Sequence, residues 1–160
     1  MSFDPREFRN ALGCFPTGIA VVTAATVNHP VGITVNSFAS VSLDPPLVLW
    51  CIDKRSDRYA MFTKAEGFTI SLLGTQHQEV SSRLAKAGEH KLDGIELVRT
   101  ELGAPAVHEA LAYFECARHA VHDAGDHAIL LGRVLRFTRQ EAGAPLVFFK
   151  GKYGSLAQAG

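Results

Sequence analysis

The stretch from Ile33 to Pro46 carries side chains suited to binding a flat polar ligand. Its sequence, Ile-Thr-Val-Asn-Ser-Phe-Ala-Ser-Val-Ser-Leu-Asp-Pro-Pro, is rich in hydroxyl and amide groups and poor in charge. Such groups hydrogen-bond the carbonyl and ring-nitrogen edge of a heterocycle, while Val41 and Leu43 supply apolar wall. The pattern predicts part of a cofactor pocket, and a polar strand edge followed by a turn is the alternative interpretation.

A second candidate site lies just beyond the apolar segment 47–52. The run Asp-Lys-Arg-Ser-Asp-Arg at positions 53–58 offers cations and a hydroxyl where the pattern indicates a helix start. Anions are stabilised in that setting, so Lys54, Arg55 and Ser56 are candidate ligands of a phosphate. The alternative is an ordinary solvated surface of mixed charge.

Three histidines near two aspartates raise the question of a metal site. His119, His122 and His127 flank Asp123 and Asp126, and imidazole and carboxylate suit zinc or iron. On a strand, however, His119 and His122 are an odd number of residues apart and point to opposite faces. We therefore expect no metal, and interpret residues 123–127 as a solvated turn whose acids cap turn amides.

Several motifs of common enzyme classes are absent. The chain has no G-x-G-x-x-G, G-x-x-x-x-G-K-[ST], H-E-x-x-H or G-x-S-x-G pattern. This disfavours a Rossmann dinucleotide site, a P-loop and an α/β-hydrolase serine. It does not exclude a catalytic group assembled in space.

The elements that must position these residues are mostly strands. Asp4, Pro5 and Glu7 predict a helix start and Gly13 its end. The runs 18–25 and 31–35, separated by Asn-His-Pro, predict a hairpin. The apolar run 47–52 predicts a central strand buried on both faces. Further strands are expected at 67–73, 95–98, 112–122, 128–138 and 146–149, with a helix at about 76–86 opened by a capping box of Thr75 and Gln78.

Composition places the chain among soluble globular proteins and predicts a single domain over residues 1–160. Apolar residues make up 47% of the 160 residues and charged residues 20%. Lys+Arg and Asp+Glu both number 16, so there is no basic surplus for nucleic acid and we expect none as a partner. Because strands do not alternate regularly with helices, an antiparallel barrel or sandwich is the expected class.

The cysteines and the N-terminus predict a cytoplasmic protein. Cys14, Cys51 and Cys116 lie far apart without a C-x-x-C pair, so we expect reduced, mostly buried thiols. The first residues lack the basic and apolar regions of a signal peptide, and no segment is long enough for a membrane span. A membrane is therefore not an expected partner.

The ordered combination of motifs resembles the flavin reductase-like family, the reductases of two-component flavin-dependent monooxygenases. The resemblance covers almost the entire chain. It rests on FRNALG and FPTG at 8–18, GITVNSF at 32–38, SVSLDPPL at 40–47, GDH at 125–127 and PLVFF with GKY at 145–153.

This resemblance implies a mainly β fold with short helices, the antiparallel split β-barrel of the FMN-binding type. It further implies a homodimer that uses NADH or NADPH to reduce FMN or FAD and supplies the reduced flavin to a partner monooxygenase. In this family the nicotinamide cofactor docks against the flavin without a Rossmann domain, and hydride passes directly between the cofactors, so no catalytic side chain is expected.

The resemblance also implies which residues form the site. The flavin ring and ribityl chain are expected against Thr34, Val35, Asn36, Ser37, Ser40, Val41, Ser42 and Leu43, and the phosphate near Lys54, Arg55 and Ser56. The nicotinamide side is expected at Pro16, Thr17, His127 and Tyr153. The segments SLL at 71–73 and RLAKAG at 83–88 depart from the family pattern. Arg83 is therefore either a phosphate ligand or part of an exposed helix face.

Two other functions compete with the reductase. The same barrel could serve as an electron-transfer module that retains its flavin and does not turn over nicotinamide. A barrel that binds a ligand other than flavin would require the motif match to be accidental.

Overall fold

A computed structural model describes residues 3–157, and its elements are mostly strands. The helices are α1 (Pro5–Leu12), α2 (Tyr59–Lys64) and α3 (Gln78–Leu84), with a 3-10 turn at Thr75–His77 before α3. The strands are β1 (Thr17–Gly18), β2 (Ala20–Ala24), β3 (Val31–Val35), β4 (Ala39–Leu43), β5 (Pro46–Asp53), β6 (Gly67–Leu72), β7 (Leu97–Val98), β8 (Ala106–Val107), β9 (Ala112–Ala124), β10 (His127–Arg139), β11 (Val147–Phe149) and β12 (Lys152–Gly154).

Seven strands form the main sheet in the order β3-β2-β6-β9-β10-β5-β4, and every neighbouring pair is antiparallel. A three-stranded sheet β1-β11-β12 and a small pair β7-β8 accompany it. The expected mainly β, antiparallel class with short helices is confirmed.

The connection between the two edge strands shows that the main sheet is rolled. β3 and β4 lie at opposite edges, yet only residues 36–38 join them. Seven strands laid flat would separate the edges by about 29 Å. Three linking residues span about 15 Å at most between Val35 and Ala39. The sheet therefore curls into a split barrel, and the linker Asn36–Phe38 crosses the split.

Bulges and a glycine help the sheet to curl. The pairing of β9 with β10 shifts register between Leu131 and Gly132, and again between Val134 and Arg136. A Cβ at Gly132 would stand 2.8 Å from the Phe68 ring, so this position requires glycine for close packing. Such shifts bend and twist a strand locally, which suits a closing barrel wall.

The barrel core lies beneath β5 and β6. Trp50 is fully buried and meets the rings of Phe62 and Phe68 edge-on, at centroid distances of 5.2 and 5.7 Å. A second apolar cluster, which includes Val21, Leu84 and Leu146, packs around α3 and the small sheets. Aromatic burial of this kind is a large apolar contribution to folding.

Several local expectations are confirmed and three need correction. The hairpin of β2 and β3 and the long hairpin of β9 and β10 form as predicted. The segment 47–52 is not buried on both faces and is not central. It forms most of β5, next to the edge, and only alternate residues such as Val48, Trp50 and Ile52 are buried. Its continuous apolar run arises because its other face is half-covered.

The remaining corrections concern a helix cap and the cysteines. Asp4 caps α1 as expected, since its carboxylate accepts from the Arg6 N–H at 2.8 Å. The predicted capping box of Thr75 and Gln78 is wrong. The Gly74 N–H instead donates to Nδ1 of His77 at 3.1 Å.

The expectation of mostly buried cysteine thiols is only partly met. Cys14 is exposed, whereas Cys51 is half-buried and Cys116 buried. Within residues 3–157, no helix has the length and apolar composition needed to span a bilayer.

Candidate cofactor site at the split of the barrel

The linker across the split is anchored to the barrel by one side chain. The Ser37 hydroxyl accepts from the backbone N–H of Cys51 at 2.9 Å and donates to the Cys51 carbonyl at 3.3 Å. A single hydroxyl thereby ties the linker to β5. Next to it, Asn36 is exposed and Phe38 packs on the Phe114 ring at 5.8 Å. The hydrogen bonds of Ser37 and the ring contact of Phe38 thus hold the linker on the barrel, and the exposed Asn36 side chain lies at the split.

The main cavity, of about 650 Å³, opens beside this linker. This volume is within the range of small-molecule sites. The end of β3, the linker and the turn that follows β5 form its walls. Of the residues expected from the sequence, it is lined by Thr34, Val35, Asn36, Ser37, Arg55, Ser56 and His127. The structure therefore brings together residues that the sequence separates by up to 93 positions.

The turn after β5 carries an arginine that is hydrogen-bonded to a neighbouring aspartate. Nη2 of Arg55 donates to Oδ2 of Asp53 at 2.9 Å, and Nε donates to Oδ1 at 3.2 Å. Hydrogen bonds from the Arg55 side chain and backbone lower the pKa of Asp53 to about 2. The pair is therefore ionised across the physiological pH range, and the Arg55 guanidinium on the cavity wall is hydrogen-bonded to Asp53.

His127 stands on the same wall, at the start of β10. Its Nδ1 lies 2.7 Å from Oδ1 of Asp126, and this contact lowers the pKa of the Asp126 carboxyl. A neighbouring carboxylate orients an imidazole ring and fixes which nitrogen faces it.

Among the other cavities that Asn36 lines, two also contain residues expected on the nicotinamide side and share further residues with the main cavity. The Tyr153 cavity, of about 180 Å³, shares Thr34, Val35 and Asn36 with the main cavity. The Pro16 cavity, of about 570 Å³, is bordered by Pro16, Thr17 and mostly apolar residues and shares Asn36 and Ser37 with it. Asn36 therefore lines all three spaces.

Polar side chains around the Tyr153 and Pro16 cavities are only partly hydrogen-bonded. The Tyr153 hydroxyl lies 2.9 Å from Oγ of Ser81, and the Thr34 hydroxyl donates to the Ser81 carbonyl at 2.8 Å. Oγ1 of Thr17 is buried and has no hydrogen-bond partner among residues 3–157. A buried hydroxyl without a partner at a cavity wall suits a polar ligand atom.

Some expected site residues lie elsewhere. Nζ of Lys54 donates to the carbonyl of Gly125 in the β9–β10 turn at 2.6 Å and pairs with Asp123 near the end of β9. Arg83 donates from Nη1 to the Asp93 carbonyl at 2.8 Å and from Nη2 to the Lys91 carbonyl at 2.7 Å. Neither side chain lines any of the three cavities.

The expected flavin contacts on β4 also lie outside the three cavities. Ser40, Val41 and Leu43 are exposed and Ser42 is half-buried, all on the edge strand of the main sheet. This strand lies beside the split, apart from the cavity walls, and most of its side chains are exposed.

Several residues of the main cavity were not predicted from the sequence. Cys51 lines it from the outer face of β5, and burial raises the pKa of its thiol. Arg58 lines it although the side chain is 97% buried, and Ala85 and Ala87 line it as well. The charge run 53–58 contained the only signal for Arg58, and it carried no indication of burial. Among residues 3–157, no three His, Cys, Asp or Glu side chains come together as a metal-binding group.

Known proteins resemble this chain over most of its length. The flavin reductase like domain model matches residues 12–157. The chain is 47% identical over 153 residues to the FMN reductase (NADH) SmoA of Agrobacterium fabrum, covering 96% of this chain and 87% of the relative. It is 36% identical over 155 residues to HsaB of Rhodococcus jostii, a flavin-dependent monooxygenase reductase subunit, covering 97% and 80%.

A solved structure extends the likeness to the whole fold. The NADH:FAD oxidoreductase SgcE6 of Streptomyces globisporus, in complex with NAD and FAD fragments, superposes with a TM-score of 0.92 at 36% identity, covering 99% of this chain and 98% of that one. The chain therefore belongs to the flavin reductase-like family.

Proposed function

We propose that the protein is an NAD(P)H-dependent flavin reductase that reduces FMN or FAD and supplies the reduced flavin to a partner monooxygenase. The observation that carries the proposal is the meeting of three cavities at Asn36. Two cofactors that exchange a hydride must occupy adjoining spaces with their reactive rings in contact. The relatives' activities support the same assignment.

The main cavity fits a flavin. Hydroxyl and amide groups of Thr34, Asn36 and Ser37 suit the polar edge of the isoalloxazine ring, and Arg55 with Ser56 suits its phosphate. Asp53 holds the Arg55 guanidinium, so a bound phosphate would share it with this carboxylate.

The nicotinamide side is proposed at Pro16, Thr17, His127 and Tyr153. The Tyr153 and Pro16 cavities adjoin the main cavity through Asn36, so a nicotinamide ring in either space would lie next to the flavin. When bound, the nicotinamide supplies the hydride and the flavin accepts it. The chain's own contribution is to bind and align the two rings and to exclude water between them.

We also propose that the protein works as a homodimer. The edge strand β4 exposes Val41 and Leu43, which are 46% and 97% exposed, and β10 beyond its pairing with β5 exposes Leu135 and Phe137. Apolar side chains on an open sheet edge are typically covered in an assembly. A second copy on this edge would complete the site and bring residues 40–43 towards the flavin. Sedimentation of the wild type and of Leu43→Lys tests this: a dimer that the substitution weakens supports it, and a wild-type monomer refutes it.

Anaerobic NADH and NADPH oxidation with added FMN, FAD or no flavin tests the proposed reaction. Many turnovers per protein with added flavin are expected. Asn36→Ala should weaken flavin binding and raise the KM for the nicotinamide donor, because Asn36 lines the cavities proposed for both. Flavin binding without nicotinamide oxidation would favour the electron-transfer module, and absence of both signals would refute the flavin assignment.

A further inference from the structure

Arg58 is a buried cation whose hydrogen bonds all go to the protein itself. The residue is 2% exposed. Its Nη1 donates to the Leu84 carbonyl at 2.6 Å and the Gly32 carbonyl at 3.2 Å, and its Nη2 donates to the Lys86 carbonyl. The guanidinium therefore joins β3 to the segment that follows α3.

Asp57 completes this connection. Its Oδ1 accepts from Nε of Arg58 at 3.2 Å, and its Oδ2 accepts from the Gly88 N–H at 2.8 Å. The two side chains together make three bonds to residues 84–88. That segment holds Ala85 and Ala87, which line the main cavity as do Arg55 and Ser56 of the turn after β5.

The arrangement distinguishes Arg58 from a ligand-binding cation. Four of its five N–H groups are committed to protein acceptors, so little donor capacity remains for a ligand. A buried charge held by backbone carbonyls of two separated segments, β3 and residues 84–86, fixes their relative positions, because each bond lost would leave a desolvated group unsatisfied. Arg55, whose side chain is 83% exposed, remains the cation available to a ligand.

We propose that Asp57 and Arg58 are positioning residues that set the separation between the Arg55–Ser56 turn and the 84–88 segment, the two walls that enclose the phosphate end of the flavin. This inference rests on the proposed flavin site. The pair acts through the walls it connects, so its loss should weaken the binding of the phosphate more than that of the isoalloxazine ring.

Fluorescence titration with FMN and with riboflavin, which lacks the phosphate, tests the proposal. In Arg58→Met we expect the dissociation constant of FMN to rise at least tenfold and that of riboflavin less than threefold. Arg58→Lys should fall between the wild type and Arg58→Met, because an ammonium keeps the charge but cannot bridge the same carbonyls. Arg118→Met is the control. Arg118 donates to the Thr63 carbonyl at the other end of α2 and lines none of the three cavities. This variant should leave the ratio of the FMN and riboflavin dissociation constants unchanged.

Equal losses for FMN and riboflavin in folded Arg58→Met would show general loosening and overturn the proposal, as would unchanged FMN affinity. If Arg58→Met does not fold, Asp57→Asn provides the same comparison, since it weakens the attachment at Gly88 and leaves the carbonyl bonds of Arg58 in place. Unchanged FMN affinity in Asp57→Asn would then overturn the proposal. A wild type that binds no flavin would instead refute the proposed function.

Discussion

Removing the Ser37 hydroxyl tests how the linker across the split contributes to the site. Ser37→Ala deletes both hydrogen bonds to Cys51 and leaves a partly buried backbone N–H and carbonyl without that partner. The expected loss is about 1–3 kcal/mol of the free energy of unfolding. Because the same bonds hold Asn36 at the cavities, part of this loss should also reach cofactor binding. If about 1–2 kcal/mol of the lost stabilisation is also lost from the free energy of flavin binding, flavin affinity falls by at most roughly 5- to 30-fold.

Thr26 provides a matched control for this change. Its hydroxyl also bonds both the N–H and the carbonyl of one residue, His29, but in the exposed β2–β3 turn away from the cavities. Thr26→Val should cost below about 1 kcal/mol, since water replaces the lost bonds, and should leave flavin affinity unchanged. Urea unfolding of the flavin-free protein and FMN titration measure the two quantities. If Ser37→Ala loses stability but binds FMN as tightly as Thr26→Val does, the linker does not organise the site.

Three other substitutions test separate parts of the account. Tyr153→Phe removes the hydroxyl that lies against Oγ of Ser81. It should raise the KM for NADH while the dissociation constant of FMN changes less than twofold. A selective loss of FMN affinity would contradict the placement of Tyr153 on the nicotinamide side. His127→Ala should raise the NAD(P)H KM or slow flavin reduction in stopped-flow traces, and if neither changes, His127 does not belong to the nicotinamide side. Gly132→Ala places a Cβ 2.8 Å from the Phe68 ring and should cost about 1–3 kcal/mol in urea unfolding; a variant as stable as the wild type would refute the close-packing argument.

Local patterns predicted the strands better than they predicted how the strands meet. Alternating and β-branched runs bounded by Asn-His-Pro, or by Asp-Ala-Gly-Asp, gave the two principal hairpins, because hairpin pairing depends on neighbouring residues. Edge strand β4 was not predicted, since its Ser-rich sequence equally suits a loop. The position of β5 near the edge depends on the order of all seven strands, which no local pattern encodes.

In the candidate site, too, local sequence patterns were more informative than contacts between distant segments. Residues 34–37 line the main cavity together with Arg55, Ser56 and His127. Their roles in binding stay predictions, as do the single-domain organisation and the cytoplasmic location. Arg58 could not be distinguished from its charged neighbours, because its carbonyl partners come from Gly32, Leu84 and Lys86. A buried arginine is recognised only when the segments that satisfy it are known.

The most direct test of the central claim is a crystal structure of the protein with FMN bound. We expect the isoalloxazine ring against Asn36 and Ser37 at the split of the barrel, with the phosphate at Arg55 and Ser56. Flavin density located away from the Asn36–Phe38 linker, or a phosphate directed away from the turn after β5, would contradict it.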